Sequence, residues 1–499
     1  EASSSSSSSV SSLEVVPPLP SSEAPSPPAS SSSSLSSSTP AGDSGEDSLS
    51  KGLITNEEQV KEAHRLLYQQ FRSGKTLSVD WRVGQLKALR KFMNENKDEI
   101  INAVMKDLGK QHPSEVIASE YNLVSNELNE YISHCKRWSK PEQVYTPVAS
   151  QPASSYVYKD PKGVVLIMSP WNYPVNLAIV PLIGAIAAGN CVLLKVSRHS
   201  ETVCEMFCRL LPKYLDTSCI IVEGNGGASM ITKLIEFKWD HVFFTGSVSV
   251  GRIVYQAAAR HLTPVTLELG GKNPCIVDDT INLTLAARRI AWGKFFNAGQ
   301  TCIGVDYALV VKSVYDKFVD ELKIQIKDFY GDEPKDSKSF ARIISKQHTQ
   351  RLGSLLTDGS IAVGGVIDVD QKYVSPTVLT DVRLDSPLMQ DEIFGPILPL
   401  IPVDSVDDAL NFISERPKPL ALYLFSASNK TQEYVLNSTT SGTAVINDCL
   451  LQFTNSNLPF GGVGESGLGA YHGSLTFDVF THRKAVMIST SRNALDIPV

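Results

Sequence analysis

Between Val164 and Leu269 the chain repeats one device, a short continuous apolar run followed by a longer amphipathic stretch. The runs are Val164–Met168, Cys191–Lys195, Ile220–Glu223, Val242–Thr245 and Val265–Leu269; helical spacing between them shows at Val203, Phe207 and Leu210. An unbroken apolar run has no wet face, so such strands need cover on both sides, which restricts them to a parallel sheet with helices on each face. The pattern predicts a doubly wound α/β domain whose ligands lie outside the carboxyl ends of the strands. Upstream, residues 55–140 read as covering helices: Val60, Ala63, Leu67 and Phe71 share one face, and Trp81–Leu108 repeats the pattern.

The alternation restarts after Glu268. A helix is expected over Asn282–Phe296, a strand over Tyr307–Lys312, helices through Phe318 and over Ser345–Leu356, and strands over Tyr373–Leu379 and Ile397–Pro402. A second α/β domain follows, as a chain of 499 residues exceeds what one core usually organises. The expected division is 1–52, 53–268, 269–445 and 446–499. Strand-like runs flank Asp160-Pro161-Lys162-Gly163, which predicts a hairpin at about 150–163.

Residues 1–50 are dominated by Ser and Pro, with no Lys or Arg before Lys51, and cannot bury enough apolar surface to offset their ordering entropy, so this tail is expected to be disordered. Its Glu14, Glu23, Asp43, Glu46 and Asp47 are unlike the acid-poor composition of an organelle transit peptide. Because the chain begins with Glu and is Ser-rich at its start, a plastid or mitochondrial address stays open beside the cytoplasmic one. A net charge of -7 without acidic or basic blocks gives no footprint for nucleic acid. Eight cysteines without a CxxC pair argue against a disulfide framework or a zinc site and favour a reducing compartment. No apolar run reaches the length of a membrane span.

The chemistry-bearing residues cluster in a few stretches. Phe295-Phe296-Asn297-Ala298-Gly299-Gln300-Thr301-Cys302 breaks a helical pattern just before a cysteine, so that thiol faces a turn between helix and strand, where scaffolds display reactive groups. By contrast Cys191 and Cys275 sit in apolar runs that need only a small hydrophobe. Glu268 places a carboxylate inside an apolar strand, which is costly unless it is neutralised, paired or used. Phe243–Gly251 runs a strand into a Gly246-Ser247 turn that opens a helix; its free N–H groups suit a pyrophosphate, and a plain helix cap accounts for it equally well.

Together with Ser169-Pro170-Trp171-Asn172-Tyr173-Pro174, Glu392-Ile393-Phe394-Gly395-Pro396 and Leu458–Gly467, these stretches resemble the aldehyde dehydrogenase superfamily from roughly Thr55 to near the C-terminus. The resemblance implies a cofactor domain, a catalytic domain, a hairpin that joins subunits and a last segment that closes the site and the subunit interface. It implies that Cys302 adds to an aldehyde carbon, that the Asn172 amide and the Cys302 backbone N–H stabilise the resulting oxyanion, and that hydride passes to NAD or NADP. Glu268 would then activate the water that cleaves the thioester, so the product is a carboxylic acid. Family members that transfer the acyl group to coenzyme A generally lack that glutamate. Lys195 would reach the adenosine ribose, Gly246, Ser247 and Gly251 form the phosphate turn, Glu392 hold the nicotinamide ribose and Phe394 pack by the ring. Taken by themselves, Asn172 is a polar turn residue, Glu392 a strand charge and Phe394 a core aromatic.

Gln300–Tyr307 and Gly462–His472 look most like the class 3 and fatty aldehyde dehydrogenases, which implies a homodimer and medium or long aliphatic or aromatic aldehydes. One stretch departs from the family. Where Lys-Pro-Ser-Glu is usual, this chain has Lys195-Val196-Ser197-Arg198, which sets a cation where a carboxylate would repel a 2′-phosphate and so predicts use of NADP at least equal to NAD. The alternative is that Arg198 points to solvent. Two rival functions remain at this point, an inert binding or structural protein on the same scaffold and a cofactor-independent thioesterase or esterase.

Overall fold

The structure, a computed structural model, describes residue 54, residues 56–224 and residues 226–489. The Ser/Pro-rich tail lies outside the described residues. The first helix, Glu57–Arg72, starts where Asn56 Oδ1 accepts from the Gln59 N–H at 2.9 Å, and it buries Val60, Ala63 and Leu67. The Trp81–Leu108 pattern is two helices, Val79–Glu95 and Lys97–Asp107, broken at Asn96, whose side-chain amide donates to Phe92 O at 2.8 Å.

Strands β1 (Glu142–Val144) and β2 (Ser154–Pro161) pair antiparallel, with Gln143 opposite Tyr156. The hairpin expected around Asp160–Gly163 is not formed: β2 takes β1 as its antiparallel partner and does not pair with the run that follows the turn. After Gly163 the chain leaves as β3 (Val164–Met168), which joins a different sheet. The physical reason is burial: β2 is half-buried along its length, whereas every residue of β3 is buried and needs cover on both faces. Gly163 permits the handover, with φ 138°, and a Cβ there would stand 2.0 Å from the Asp240 carboxylate that accepts from Val164 N–H at 2.8 Å.

Next come β4 (Cys191–Lys195), β5 (Ile220–Glu223), β6 (His241–Gly246) and β7 (Val265–Leu269). They pair in parallel in the order β7-β6-β3-β4-β5. From β3 the chain steps outward through β4 and β5, then returns to β6 on the other side, so the winding reverses between β3 and β6. That reversal opens a crevice at their carboxyl ends, beyond Met168 and Gly246. The helices Asn176–Ala188 and Val248–Ala259 follow β3 and β6.

The second sheet is built from β8 (Pro274–Val277), β9 (Tyr307–Val311), β10 (Ser360–Val363), β13 (Thr377–Thr380), β14 (Ile397–Val403), β15 (Ala421–Phe425) and β16 (Thr443–Ile446), in the order β10-β13-β14-β9-β8-β15-β16. Only β10 runs antiparallel to its neighbour. The single strand expected over Tyr373–Leu379 is divided. Tyr373–Val374 (β12) pairs with Ile367–Asp368 (β11), and β13 begins after Pro376, which has no N–H to carry a ladder through. Near the end, β17 (Gly467–Leu468) returns to β7 in the first sheet, and β18 (Thr481–Ile488) pairs with β2 along its whole length.

Candidate active site

The helix Leu283–Phe295 ends in three consecutive left-handed residues, Asn297 (φ 53°), Ala298 (φ 52°) and Gly299 (φ 74°). For Asn and Ala each costs on the order of 1 kcal/mol, so the loop needs external support. Gly299 is obligatory, because a Cβ would lie 2.3 Å from Gly395 O. Asn297 Nδ2 donates to Asn172 O at 3.0 Å and to Gln300 O at 3.1 Å. The fully buried Gln300 side chain donates to Asn297 O and Arg342 O, both at 3.0 Å, and accepts from Ile344 N–H at 2.9 Å. Asn273 Nδ2 donates to Cys302 O at 2.8 Å and to Gly304 O at 3.0 Å. These amides hold the peptide that carries Cys302. The sequence reading singled out neither Asn273 nor the Gln300 side chain; their signal was only a carboxamide on each side of a turn.

Cys302 stands where two cavities meet. One, of about 430 Å³, is lined by Asn172, Gly246, Ser247, Glu268, Glu392 and Phe394 among others, and it opens at the carboxyl ends of β3 and β6. The other, of about 230 Å³, is almost wholly apolar, with walls from Tyr173, Leu177, Trp292, Phe296, Leu450 and Phe453. Burial pushes the Cys302 thiol up to about 12, and the Glu392 and Glu268 carboxyls add to this. At neutral pH Cys302 therefore rests as the protonated thiol. Glu268 is buried and neither of its oxygens has a hydrogen-bond partner; desolvation alone holds its carboxyl well above the ordinary range. Asn172 Nδ2 donates to Gln300 O at 3.1 Å, and an amide nitrogen has a second hydrogen to offer.

Around the larger cavity, the Glu392 carboxyl lies against Gly270, where a Cβ would be 2.0 Å from Oε2. Burial and the neighbouring Asp306 raise that carboxyl to about 8. Phe394, itself left-handed at φ 50°, meets Trp171 edge-on at 5.4 Å. Ser247 caps the helix Val248–Ala259 by accepting from Val250 N–H at 3.4 Å, so the turn caps a helix and lines the cavity at once. Gly251 does not reach the cavity. Its missing side chain lets the helix approach β7, since a Cβ would stand 2.6 Å from Leu269 Cδ2. Lys195, at the carboxyl end of β4, is buried and donates to Val196 O at 2.7 Å; burial lowers its ammonium, and the Arg198 charge adds to this. Arg198 is exposed on the loop that follows. Neither is on the wall of this cavity.

The larger cavity suits a dinucleotide on its own geometry. A strand end faces a helix N-terminus, Gly246 and Gly270 have no room for a Cβ, and Thr245 Oγ1 is buried without a partner. The sequence profile of the Aldehyde dehydrogenase family matches residues 30–486. The chain belongs to the aldehyde dehydrogenase family. Aldehyde dehydrogenase family 3 comG of Dictyostelium discoideum is 56% identical over 429 residues, 86% of this chain and 91% of that protein. Family 3 member B1 of Homo sapiens is 46% identical over 439 residues, 87% and 93% respectively. A solved substrate-bound AldH of Staphylococcus aureus superposes with a TM-score of 0.85 at 42% identity, covering 88% of this chain and 95% of that one. This aldehyde dehydrogenase is an NAD(P)-dependent enzyme that oxidises aldehydes; neither the inert scaffold nor the cofactor-independent esterase is favoured. Among its described residues no helix is long and apolar enough to cross a membrane.

Proposed function

We propose that Cys302 is the nucleophile, Glu268 the general base, and Asn172 Nδ2 with the Cys302 backbone N–H the oxyanion donors. The observation that carries this is the position of Cys302 between an almost wholly apolar cavity and a second one that contains Glu268 and Asn172. An aldehyde entering from the apolar side presents its carbon to sulfur. The thiol proton leaves to a base, sulfur adds, and the carbonyl oxygen gains a negative charge that the two donors stabilise. NAD(P), held by the Gly246-Ser247 turn, Glu392 and Phe394, supplies the hydride acceptor when bound. Loss of hydride leaves a thioester on Cys302. Glu268 then takes a proton from water, which attacks that thioester and releases the carboxylic acid.

The apolar wall around Trp292, Phe296 and Phe453 suits medium or long aliphatic or aromatic aldehydes. Lys195 and Arg198 are assigned to the adenosine end of the cofactor, with Arg198 favouring a 2′-phosphate. The small sheet β1-β2-β18, with Met487 exposed on it and Tyr145 and Val148 exposed beside it, is assigned to a homodimer interface. A relative from Rattus norvegicus, 44% identical over 423 residues, 85% of this chain and 93% of that protein, bears the name aldehyde dehydrogenase, dimeric NADP-preferring, which fits both assignments. All eight cysteines are free, which fits a reducing compartment such as the cytoplasm. The test is stoichiometric. With an aromatic or aliphatic aldehyde and either cofactor, reduced cofactor and carboxylic acid are expected in equal amounts, and acid without reduced cofactor would overturn the reading.

A further inference from the structure

Past Phe296 the apolar cavity borders a further chamber of about 420 Å³, and the two share Ala118, Trp292 and Phe296 as a partition. Their walls differ in kind. Leu123, Leu177 and Leu450 face the first, whereas Lys110, His112, Glu115 and Lys338 face the second. Lys110 is buried, with its side chain 4% exposed; its ammonium is ion-paired with Glu115 and stands 5.9 Å from the centre of the Phe296 ring. That pair is neutral as a unit. Lys338 is exposed at the rim and makes no ion pair among the described residues, so the chamber has a net positive charge. No step of the reaction assigned to Cys302 uses Lys110, Glu115 or Lys338.

The farther wall also carries Phe329, Tyr330 and Phe340, so an apolar chain can bury there too; what an aliphatic end leaves unused is the Lys338 ammonium at the rim, unpaired among the described residues. Two adjoining cavities, apolar beside Cys302 and bearing the Lys338 cation at the rim of the farther one, match a ligand that changes character in the same direction. We propose that the preferred substrates are aldehydes with an anionic group at the opposite end of an apolar spacer, with the spacer crossing the Trp292–Phe296 partition and the anion received by Lys338, with Lys110 behind it. This inference rests on the assignment of Cys302 as the residue that meets the aldehyde carbon. Lys338 acts here on specificity and not on the chemical step.

The experiment compares an n-alkanal with the ω-carboxy aldehyde of the same carbon count, measuring kcat/KM for each with the full chain. At low salt the carboxy aldehyde is expected to lead by about tenfold, the scale of one charge-assisted contact, and the lead should shrink as salt screens the exposed Lys338. Lys338→Glu should bring the ratio of the two values to unity or below. Glu115→Gln should raise it, because Lys110 then keeps its charge without a partner. Equal kcat/KM for the two aldehydes in wild type, or a ratio that neither variant moves, overturns the proposal while leaving the dehydrogenase reading intact. Failure of both aldehydes to yield reduced cofactor overturns the two together.

Discussion

Asn273 Nδ2 holds the backbone carbonyl of Cys302 at 2.8 Å, while its Oδ1 accepts from Ala421 N–H at 2.8 Å, so one buried carboxamide ties the peptide that carries Cys302 to β15 of the second sheet. Asn273→Ala removes those contacts and the bond to Gly304 O, leaving buried backbone groups unpaired. A stability loss of about 2–4 kcal/mol is expected. The nucleophile should also be mispositioned, with kcat falling by about a hundredfold and the cofactor KM changing by less than about threefold. A purely structural residue would lower Tm and leave kcat per folded enzyme unchanged. Thermal denaturation and steady-state kinetics on the same preparation separate the two.

Cys302→Ala should abolish dehydrogenase and any esterase activity with the fold retained, as seen by circular dichroism. Turnover above about a hundredth of wild type would contradict covalent catalysis by this thiol.

Glu268→Gln removes the base and leaves the shape. Hydride transfer should survive while deacylation stalls, which gives one burst of reduced cofactor per site in a stopped-flow trace, and mass spectrometry should find the acyl group on Cys302. If no burst forms and the cysteine stays unacylated, Glu268 acts earlier, as the base that ionises the thiol.

The same substitution tests the buried carboxyl through pH. Glu268 is raised in the folded state by burial, so folding favours its protonated form. Its contribution to stability is present below the unfolded carboxyl value of about 4.3 and is lost as pH rises toward the folded value. Glu268→Gln, which never ionises, should therefore gain in Tm over wild type as pH rises from about 5 to about 9. Activity should move the other way in wild type, with kcat/KM increasing through that range because both Cys302 and Glu268 must lose protons. A Tm difference constant with pH would mean that Glu268 is ionised in the folded enzyme.

Why some of this was legible in the sequence follows from what each signal depends on. The strands β3 to β7 were readable because burial on both faces leaves unbroken apolar runs, and the Cys302 loop because Asn297, Ala298 and Gly299 interrupt a helix that Phe295 and Phe296 would otherwise extend. The hairpin partner was misassigned because Asp160–Gly163 has turn composition while the burial that sends Val164 elsewhere is a tertiary fact. Strands β15 and β16 were not anticipated. Asn273 and Gln300 escaped notice because a clamping carboxamide is indistinguishable from a turn residue until its partners, up to 148 positions away in the chain, are in place. The meeting of two cavities at Cys302 is of the same kind, as its walls come from segments as distant as Ala118 and Phe453.

The last prediction concerns the cofactor. Lys195 ends β4 with its side chain buried, Val196 N–H donates to Glu223 O at 2.9 Å, and the chain then turns through Ser197 to the exposed Arg198. Val196 thus continues the ladder where the family's usual proline, having no N–H, could not. Loss of the usual glutamate removes repulsion toward a 2′-phosphate, and a guanidinium pairs with phosphate oxygens through parallel N–H donors. NADP should therefore be used at least as well as NAD, and Arg198→Glu should restore a preference for NAD by returning an acceptor for the ribose hydroxyls. Because Arg198 is exposed, the contribution of its charge should decline with ionic strength. Steady-state kcat/KM for both cofactors at low and high salt decides the matter, and a wild-type preference for NAD above about tenfold, or about 1.4 kcal/mol, would show that Arg198 points to solvent and has no part in cofactor choice.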